Sequence, residues 1–310
     1  MMNNPAWENR AHGKLLLTGE YAVLDGALAL ALPVRYGQRL RAEPGEIPGA
    51  LHWKSLDQDG NAWFEATFSL PGLALLDTTG ETTATILQAI LRACRHQAPA
   101  FLNFDTGLRV ITQTDFPREW GLGTSSTLIA LLARWAGVDP YRVLFDTFGG
   151  SGYDIACAFA EGPLLYRLTN LHPEIQHAGF HPVFSDHLFF VFLGKKQNSR
   201  EGIRHYRQYV TENKNLVDDI SAITRQCLQC ADLGMFAGLL LEHERLVGRA
   251  LGLPRAQDLY FADFPGVVKS LGAWGGDFVL AAGSGSADET CAYFRRKGYD
   301  TCIPYGKMVL

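Results

Sequence analysis

The segment Trp120 to Ser126, WGLGTSS, constrains this chain most, because it forces a glycine loop between two stretches of different period. Before it, Leu108 to Thr114 alternates polar and apolar residues as a strand does. After it, Thr124 to Ala136 (TSSTLIALLARWA) has helical spacing and stops at Gly137. A strand therefore feeds a helix N-terminus. Gly121 and Gly123 let the backbone approach a ligand closely, and the N–H groups and helix dipole that follow favour an anion such as phosphate. Thr124, Ser125 and Ser126 add hydroxyls that suit phosphate oxygens or Mg²⁺, as a nucleoside triphosphate requires. The plainer reading of the same residues is a glycine turn with a Thr/Ser cap, so the neighbouring segments decide.

Neither a G-x-x-x-x-G-K-[ST] loop nor a protein-kinase catalytic loop occurs, so a phosphate cradle here is of another kind. Gly13 and Lys14 open an apolar strand, Lys14 to Thr18, with Glu20 and Tyr21 close behind. An inward lysine among apolar neighbours is costly unless it meets an anion; otherwise it snorkels to the surface. Ser151, Gly152, Tyr153 and Asp154 place a carboxylate before the apolar Ile155 to Ala158. Asp154 reads either as a helix cap or as a group that accepts a substrate proton.

The rest of the chain alternates strand and helix. A hairpin-like entry joins Lys14–Thr18 to a buried strand at Ala27–Val34, and residues 36 to 70 alternate with Pro and Gly punctuation. Helices are expected at Glu81–Gln97, Pro140–Phe148, Ser199–Asn213 and Leu216–Leu251, the last as two helices meeting near Gly234. Strands are expected at Pro163–Arg167, His187–Leu193 and Phe278–Ala282. Ser286 or Asp288 should cap a helix over Glu289–Lys297, and Tyr299–Tyr305 reads as a final strand. Glu242, His243 and Arg245 read as surface charge.

At 310 residues the chain holds two domains of ~150 each. Apolar residues make up 47% and charged residues 19%, and 28 basic against 32 acidic side chains leave a net charge of −4. That composition excludes disorder and a generally basic nucleic-acid surface. The N-terminal MMNNPAWENRAHGK has no long apolar run, and stretches such as Ala27–Val34 fall short of the ~20 residues of a membrane span. Cysteines at 94, 157, 227, 230, 291 and 302 lack the density of a disulfide scaffold, so a reducing cytoplasm is expected. Cys227 and Cys230 form a CxxC with no second pair at zinc spacing and read as buried thiols.

Taken together, the segments resemble the GHMP family of small-molecule kinases. GKLLLTGEYAVLDG looks like its first motif, GLGTSS its phosphate-binding second motif, SGYD the segment bearing the catalytic aspartate, and KSLGAWGGDFVL (Lys269–Leu280) its glycine-rich third motif, in family order along the chain. The resemblance implies an α+β, two-lobed fold. Residues 1–168 would form an N-terminal ribosomal protein S5 domain 2-like, ATP-binding lobe, and residues 169–310 a ferredoxin-like α/β lobe. It implies ATP and Mg²⁺ as cofactors and a small acidic acceptor, with the isoprenoid branch (mevalonate or phosphomevalonate) favoured over sugars. No nucleic-acid or membrane partner is expected, and the chain would be a monomer or homodimer. By the same resemblance, Asp154 polarises or deprotonates the acceptor and Lys14 steadies it. Gly121, Leu122, Gly123, Thr124, Ser125, Ser126, Gly272, Gly275 and Gly276 hold the phosphates. Glu20, Tyr21, Lys196 and Ser199 approach the acceptor, with Lys195 and Asn198 beside them, and Ser125 and Asp146 bind the metal.

The chain departs from the family pattern in three places. Thr124 replaces the first serine of the second motif, Trp274 and Asp277 stand where glycine is usual in the third, and Asp146 is the nearest acid to the expected metal-binding glutamate. A related ATP-dependent decarboxylase and a catalytically silent metabolite-binding protein on the same scaffold are the alternatives.

Overall fold

The structure, a computed structural model, describes residues 6–195, 199–209, 214–272 and 274–310. The chain begins with strands β1 (Trp7–Thr18), β2 (Ala29–Pro44), β3 (Ala50–Leu56), β4 (Ala62–Ser69) and β5 (Leu75–Thr78), then helix α1 (Glu81–Gln97) and strand β6 (Leu108–Thr114). Helices α2 (Thr124–Ala136), α3 (Pro140–Thr147) and α4 (Tyr153–Cys157) follow, and then strands β7 (Leu164–Thr169), β8 (His172–His177) and β9 (Leu188–Phe192). Next come α5 (Ser199–Tyr209), α6 (Lys214–Gln229), α7 (Leu233–Leu251) and α8 (Ala256–Tyr260). The chain closes with β10 (Gly266–Ser270), β11 (Phe278–Gly283), α9 (Ala287–Arg296), β12 (Cys302–Pro304) and α10 (Tyr305–Met308). These elements form two compact units. One comprises the chain up to Gly13, Tyr36–Arg118 and Gly123–Ala158; the other comprises Lys14–Arg35, Glu119–Leu122 and Phe159–Leu310.

In the first unit, strands run in the order β5-β4-β3-β6-β2, with β3 and β6 parallel and the other pairs antiparallel. Ala84, Leu87, Leu91 and Cys94 recur at three- and four-residue spacing on α1, so one stripe of the helix is buried. They share a core with Leu51, Trp53, Phe68 and Val110 of the strands and with Ile129 to Ala133 of α2. Five successive buried residues make α2 apolar all round at its centre. Its ends are set by Gly123 and Gly137, both left-handed (φ 95° and 69°), a conformation glycine adopts without strain. Asp139 then caps α3, accepting from Tyr141 N at 2.8 Å, with Pro140 in the first turn.

In the second unit, an antiparallel sheet of order β10-β11-β9-β12 carries helices on both faces. That explains why β9 and β11 read as unbroken apolar runs rather than alternating ones. Phe189, Val191, Val279 and Ala281 meet Phe261, Phe264 and Phe294 on one side, while Phe190 stacks on Tyr305 on the other. The expected cap of α9 is present as a full capping box between Ser286 and Glu289.

Two expectations are revised and two are placed more closely. The joint between α6 and α7 lies at 230–232, near Gly234 as expected, where Asp232 caps α7 by accepting from Met235 N at 2.7 Å. The final strand is only Cys302–Pro304: Pro304 has no N–H to continue a ladder, and the chain turns into α10. In the hairpin-like entry, β1 pairs with β2, and a one-turn helix over Ala22–Asp25 joins them. Cys230 is half-buried, its thiol donating to Asp232 O at 3.2 Å, whereas Cys227 is fully buried; none of the six cysteines is in a disulfide. Helix α5 ends at Tyr209, and residues 210–213 of the expected helix lie outside the described residues. No helix is long and apolar enough to cross a membrane among the described residues.

Candidate functional site

The plainer reading of the glycine loop, a turn with a Thr/Ser cap, does not hold at the α2 N-terminus. The cap position is Gly123, and no side chain caps the helix. The first N–H with an intrahelical bond is that of Thr127, to Gly123 O at 2.9 Å. The N–H groups of Thr124, Ser125 and Ser126 are therefore orphans of the helix, which is what an anion site requires and a Ser/Thr cap would remove. Thr127 is spent on structure, its hydroxyl donating to Gln38 Oε1 at 2.7 Å. Ser125 is exposed, while Ser126 is buried and its hydroxyl donates to the Asp154 carboxylate. Asp154 is not the cap of α4; Gly152 is, and Asp154 stands half-buried in the first turn. Loop hydroxyl and mid-chain carboxylate thus meet within the first unit. Asp146 is exposed on α3 and forms no hydrogen bond or ion pair among the described residues. Among those residues, no group of three or more His, Cys, Asp or Glu is arranged to hold a metal.

Three of the sequence motifs meet at the other half of the loop, in the second unit. Lys14 donates through its backbone N–H to Leu122 O at 3.0 Å and through Nζ to Gly121 O at 3.2 Å. On Gly121 (φ 66°) a Cβ would collide with the carboxylate of Asp277 from the third motif. Glycine is needed there for conformation and for space. Asp277 is itself left-handed (φ 45°) and buried, its N–H bonded to Lys195 O and its carbonyl accepting from Leu193 N, both at 2.8 Å. Gly272 and Gly275 are left-handed, and Gly276 is buried just ahead of Asp277. The third-motif tryptophan is anchored too. Trp274 N–H donates to the Tyr21 hydroxyl at 2.9 Å, and its indole N–H to Pro254 O at 2.9 Å.

Glu20 and Tyr21 are interior groups. Glu20 is 2% exposed, Lys269 is fully buried, and the Lys269 ammonium bonds both the Glu20 carboxylate and Ser270 O (2.8 Å). Burial pushes the Glu20 carboxyl up to about 7, against the pull of Lys269. His243 is 0% exposed, which corrects its reading as surface charge. Its Nε2 accepts from Gly19 N at 2.9 Å, so that nitrogen carries no proton, in line with burial pushing the imidazole well below its ordinary range. Glu20 Oε2 lies 3.2 Å from the same Nε2, and only a proton on the carboxyl can make that contact a hydrogen bond. Glu244 is also buried, accepts from Ser270 N at 3.0 Å, and is pushed up to about 8 by desolvation. The signal for His243 and Glu244 was present. They fall between Leu240 and Val247 on the stripe Phe236, Leu240, Val247 and Leu251 that α7 buries. Glu242 and Arg245 are exposed, as expected. Lys196 and Asn198 lie outside the described residues, and Ser199 begins α5.

No family model and no curated protein matches the chain. Solved structures do. L. major mevalonate kinase in complex with R-mevalonate superposes with a TM-score of 0.64 at 19% identity, covering 93% of this chain and 90% of that one. Streptococcus pneumoniae phosphomevalonate kinase, in complex with phosphomevalonate and AMPPNP, gives 0.68 at 17% identity over 94% and 96% of the two chains. Lactococcus lactis galactokinase complexed with galactose gives 0.64 at 12% identity over 95% and 89%. The chain therefore has the α+β fold of the GHMP small-molecule kinases.

Proposed function

We propose that the protein is an ATP-dependent kinase that phosphorylates a small acidic metabolite, with mevalonate or phosphomevalonate as the acceptor. The observation that carries this is the uncapped N-terminus of α2, whose orphan N–H groups stand beside a hydroxyl bonded to Asp154. Phosphoryl transfer asks a protein for alignment and charge neutralisation more than for covalent chemistry. In this reading the N–H groups of Thr124, Ser125 and Ser126 bind phosphate oxygens of ATP. Asp154 orients the acceptor oxygen and takes its proton.

Mg²⁺ fits the donors: on a nucleotide it needs only one or two protein oxygens, which the Asp154 carboxylate and the Ser125 and Ser126 hydroxyls supply. When bound it neutralises charge on the phosphate oxygens. Asp154 fits this better than Asp146, since it already meets a loop hydroxyl. Support for the isoprenoid branch comes from the fold likeness to two kinases of mevalonate-type acceptors.

Purified protein with Mg-ATP and a panel of mevalonate, phosphomevalonate, homoserine and sugars is expected to release ADP with one of the first two only. Asp154→Asn should lower that turnover by a factor of about 10² or more. Acceptor-independent ADP release, or full activity in the variant, refutes the reading. Asp277 favours the silent-scaffold alternative, because it sets a buried carboxylate against Gly121 of the phosphate loop. Calorimetric nucleotide binding without turnover across the panel selects that alternative.

A further inference from the structure

The C-terminal end of α7 and the turn after it form an open groove of about 490 Å³ within the second unit. Arg245 and Arg249, one helical turn apart, line it together with Arg255 beyond the Gly252 turn. A single arginine at a helix C-terminus is ordinary, since the dipole favours cations there. Three around one groove need a further reason, although Asp258 also lines it and neutralises Arg255. Arg249 is exposed, and its side chain has no ion pair or hydrogen bond among the described residues. Among the described residues, Arg245 meets only the exposed Glu242, at 3.6 Å. Arg255 is held by a two-pronged bond to Asp258 (2.8 and 2.6 Å), which leaves its Nη1 buried without a hydrogen-bond partner. That N–H is closed to solvent, so the charge open to the groove is that of Arg245 and Arg249. Glu244 also borders the groove, but burial keeps its carboxyl largely protonated at neutral pH, so it takes little from the positive charge.

Two walls of the groove touch the third glycine motif. A Cβ on Gly248 would stand 3.2 Å from the Trp274 ring, and the Pro254 carbonyl accepts the Trp274 indole N–H. Glu244 reaches the same motif through its bond from Ser270 N. We propose that this groove binds a small polyanion, a diphosphate or phosphate ester, and that Trp274 couples its occupancy to the third glycine motif. The site needs no turnover to be tested, so its failure and that of the kinase reading are separate outcomes.

Inorganic pyrophosphate and glycerol 3-phosphate would be titrated into the full chain by calorimetry at low and at raised salt, because exposed guanidiniums bind anions in a salt-dependent way. The expected result is saturable binding of at least one probe, weakened about tenfold or more in the Arg245→Ala/Arg249→Ala variant and unchanged in Asp154→Asn. Both arginines are exposed, so the variant should unfold at the wild-type temperature. Binding of pyrophosphate alone assigns the free anion, and binding of the ester assigns a phosphorylated metabolite. Absence of saturable heat with both probes, or equal heat in the double-arginine variant, overturns the site. The probe should also change tryptophan emission in the wild type, and Trp274→Phe should lose that change while keeping the heat. A change that survives in Trp274→Phe overturns the coupling.

Discussion

Replacing Lys269 with methionine would remove the ammonium from a cluster holding Glu20, Glu244 and the neutral His243, all nearly or wholly buried. Methionine keeps most of the volume, so the loss is electrostatic. The two carboxyls have folded values of about 7 and about 8, above their ordinary range, so the folded chain holds protons that the unfolded chain releases. Their contribution is therefore complete at acid pH and fades as pH rises through those values, at about 1.4 kcal/mol per pH unit for each proton held. His243 works in the opposite sense. Its value is depressed, so it contributes above its ordinary range and loses that contribution as pH falls.

In Lys269→Met the cation that favours ionised Glu20 is gone. At about pH 6 the carboxyls are mostly protonated, and the variant loses only the hydrogen bonds of the amine, about 1–3 kcal/mol. At about pH 8.5 it must either bury an uncompensated charge or keep taking up a proton, and the loss should grow to about 3–5 kcal/mol. Urea unfolding of wild type, Lys269→Met, Glu20→Gln and the double variant at both pH values measures this. The double variant should recover part of the high-pH loss, because a neutral amide no longer needs the lysine. Equal losses at the two pH values, or no recovery in the double variant, would refute the reasoning.

Other outcomes follow from single contacts. Gly121→Ala should destabilise the second unit by about 1–2 kcal/mol for the left-handed backbone alone, plus the cost of displacing Asp277; adding Asp277→Gly should return the steric part, as a double-mutant cycle by urea unfolding would show. Asp139→Ala removes the side-chain cap of α3 and should cost about 1 kcal/mol of thermal stability. Ser126→Ala should leave the fold intact, because α2 uses no side-chain cap, yet lower turnover through the loss of its bond to Asp154. A Ser126→Ala protein that unfolds instead would show the hydroxyl to be structural.

Helices α1 and α2 and strand β6 begin and end where sequence reading places them, because their limits are set within a few residues by glycine turns and by a switch of hydrophobic period. The chemistry-bearing segments were legible for the same reason: each is a short, glycine-punctuated stretch whose backbone needs are local. The third motif is legible as a glycine segment, but strand β10, which leads into it, is not, since five residues with a lysine and a serine carry too little period to identify.

What tertiary structure alone decided was the partner of each charged group. Lys269 reaches Glu20 across 249 positions of chain and Lys14 reaches Gly121 across 107, distances over which no local pattern operates. Sequence placed His243 and Glu244 on the apolar stripe of a helix, but which groups they would meet there depended on what packed against it. Burial then set their charge: in water the carboxyl of Glu244 would be ionised at neutral pH, and within the fold it keeps its proton. The sequence by itself determined where the chain turns and which groups it carries to the turns; packing determined which of those groups lost their water, and desolvation depends on neighbours that only the folded chain supplies.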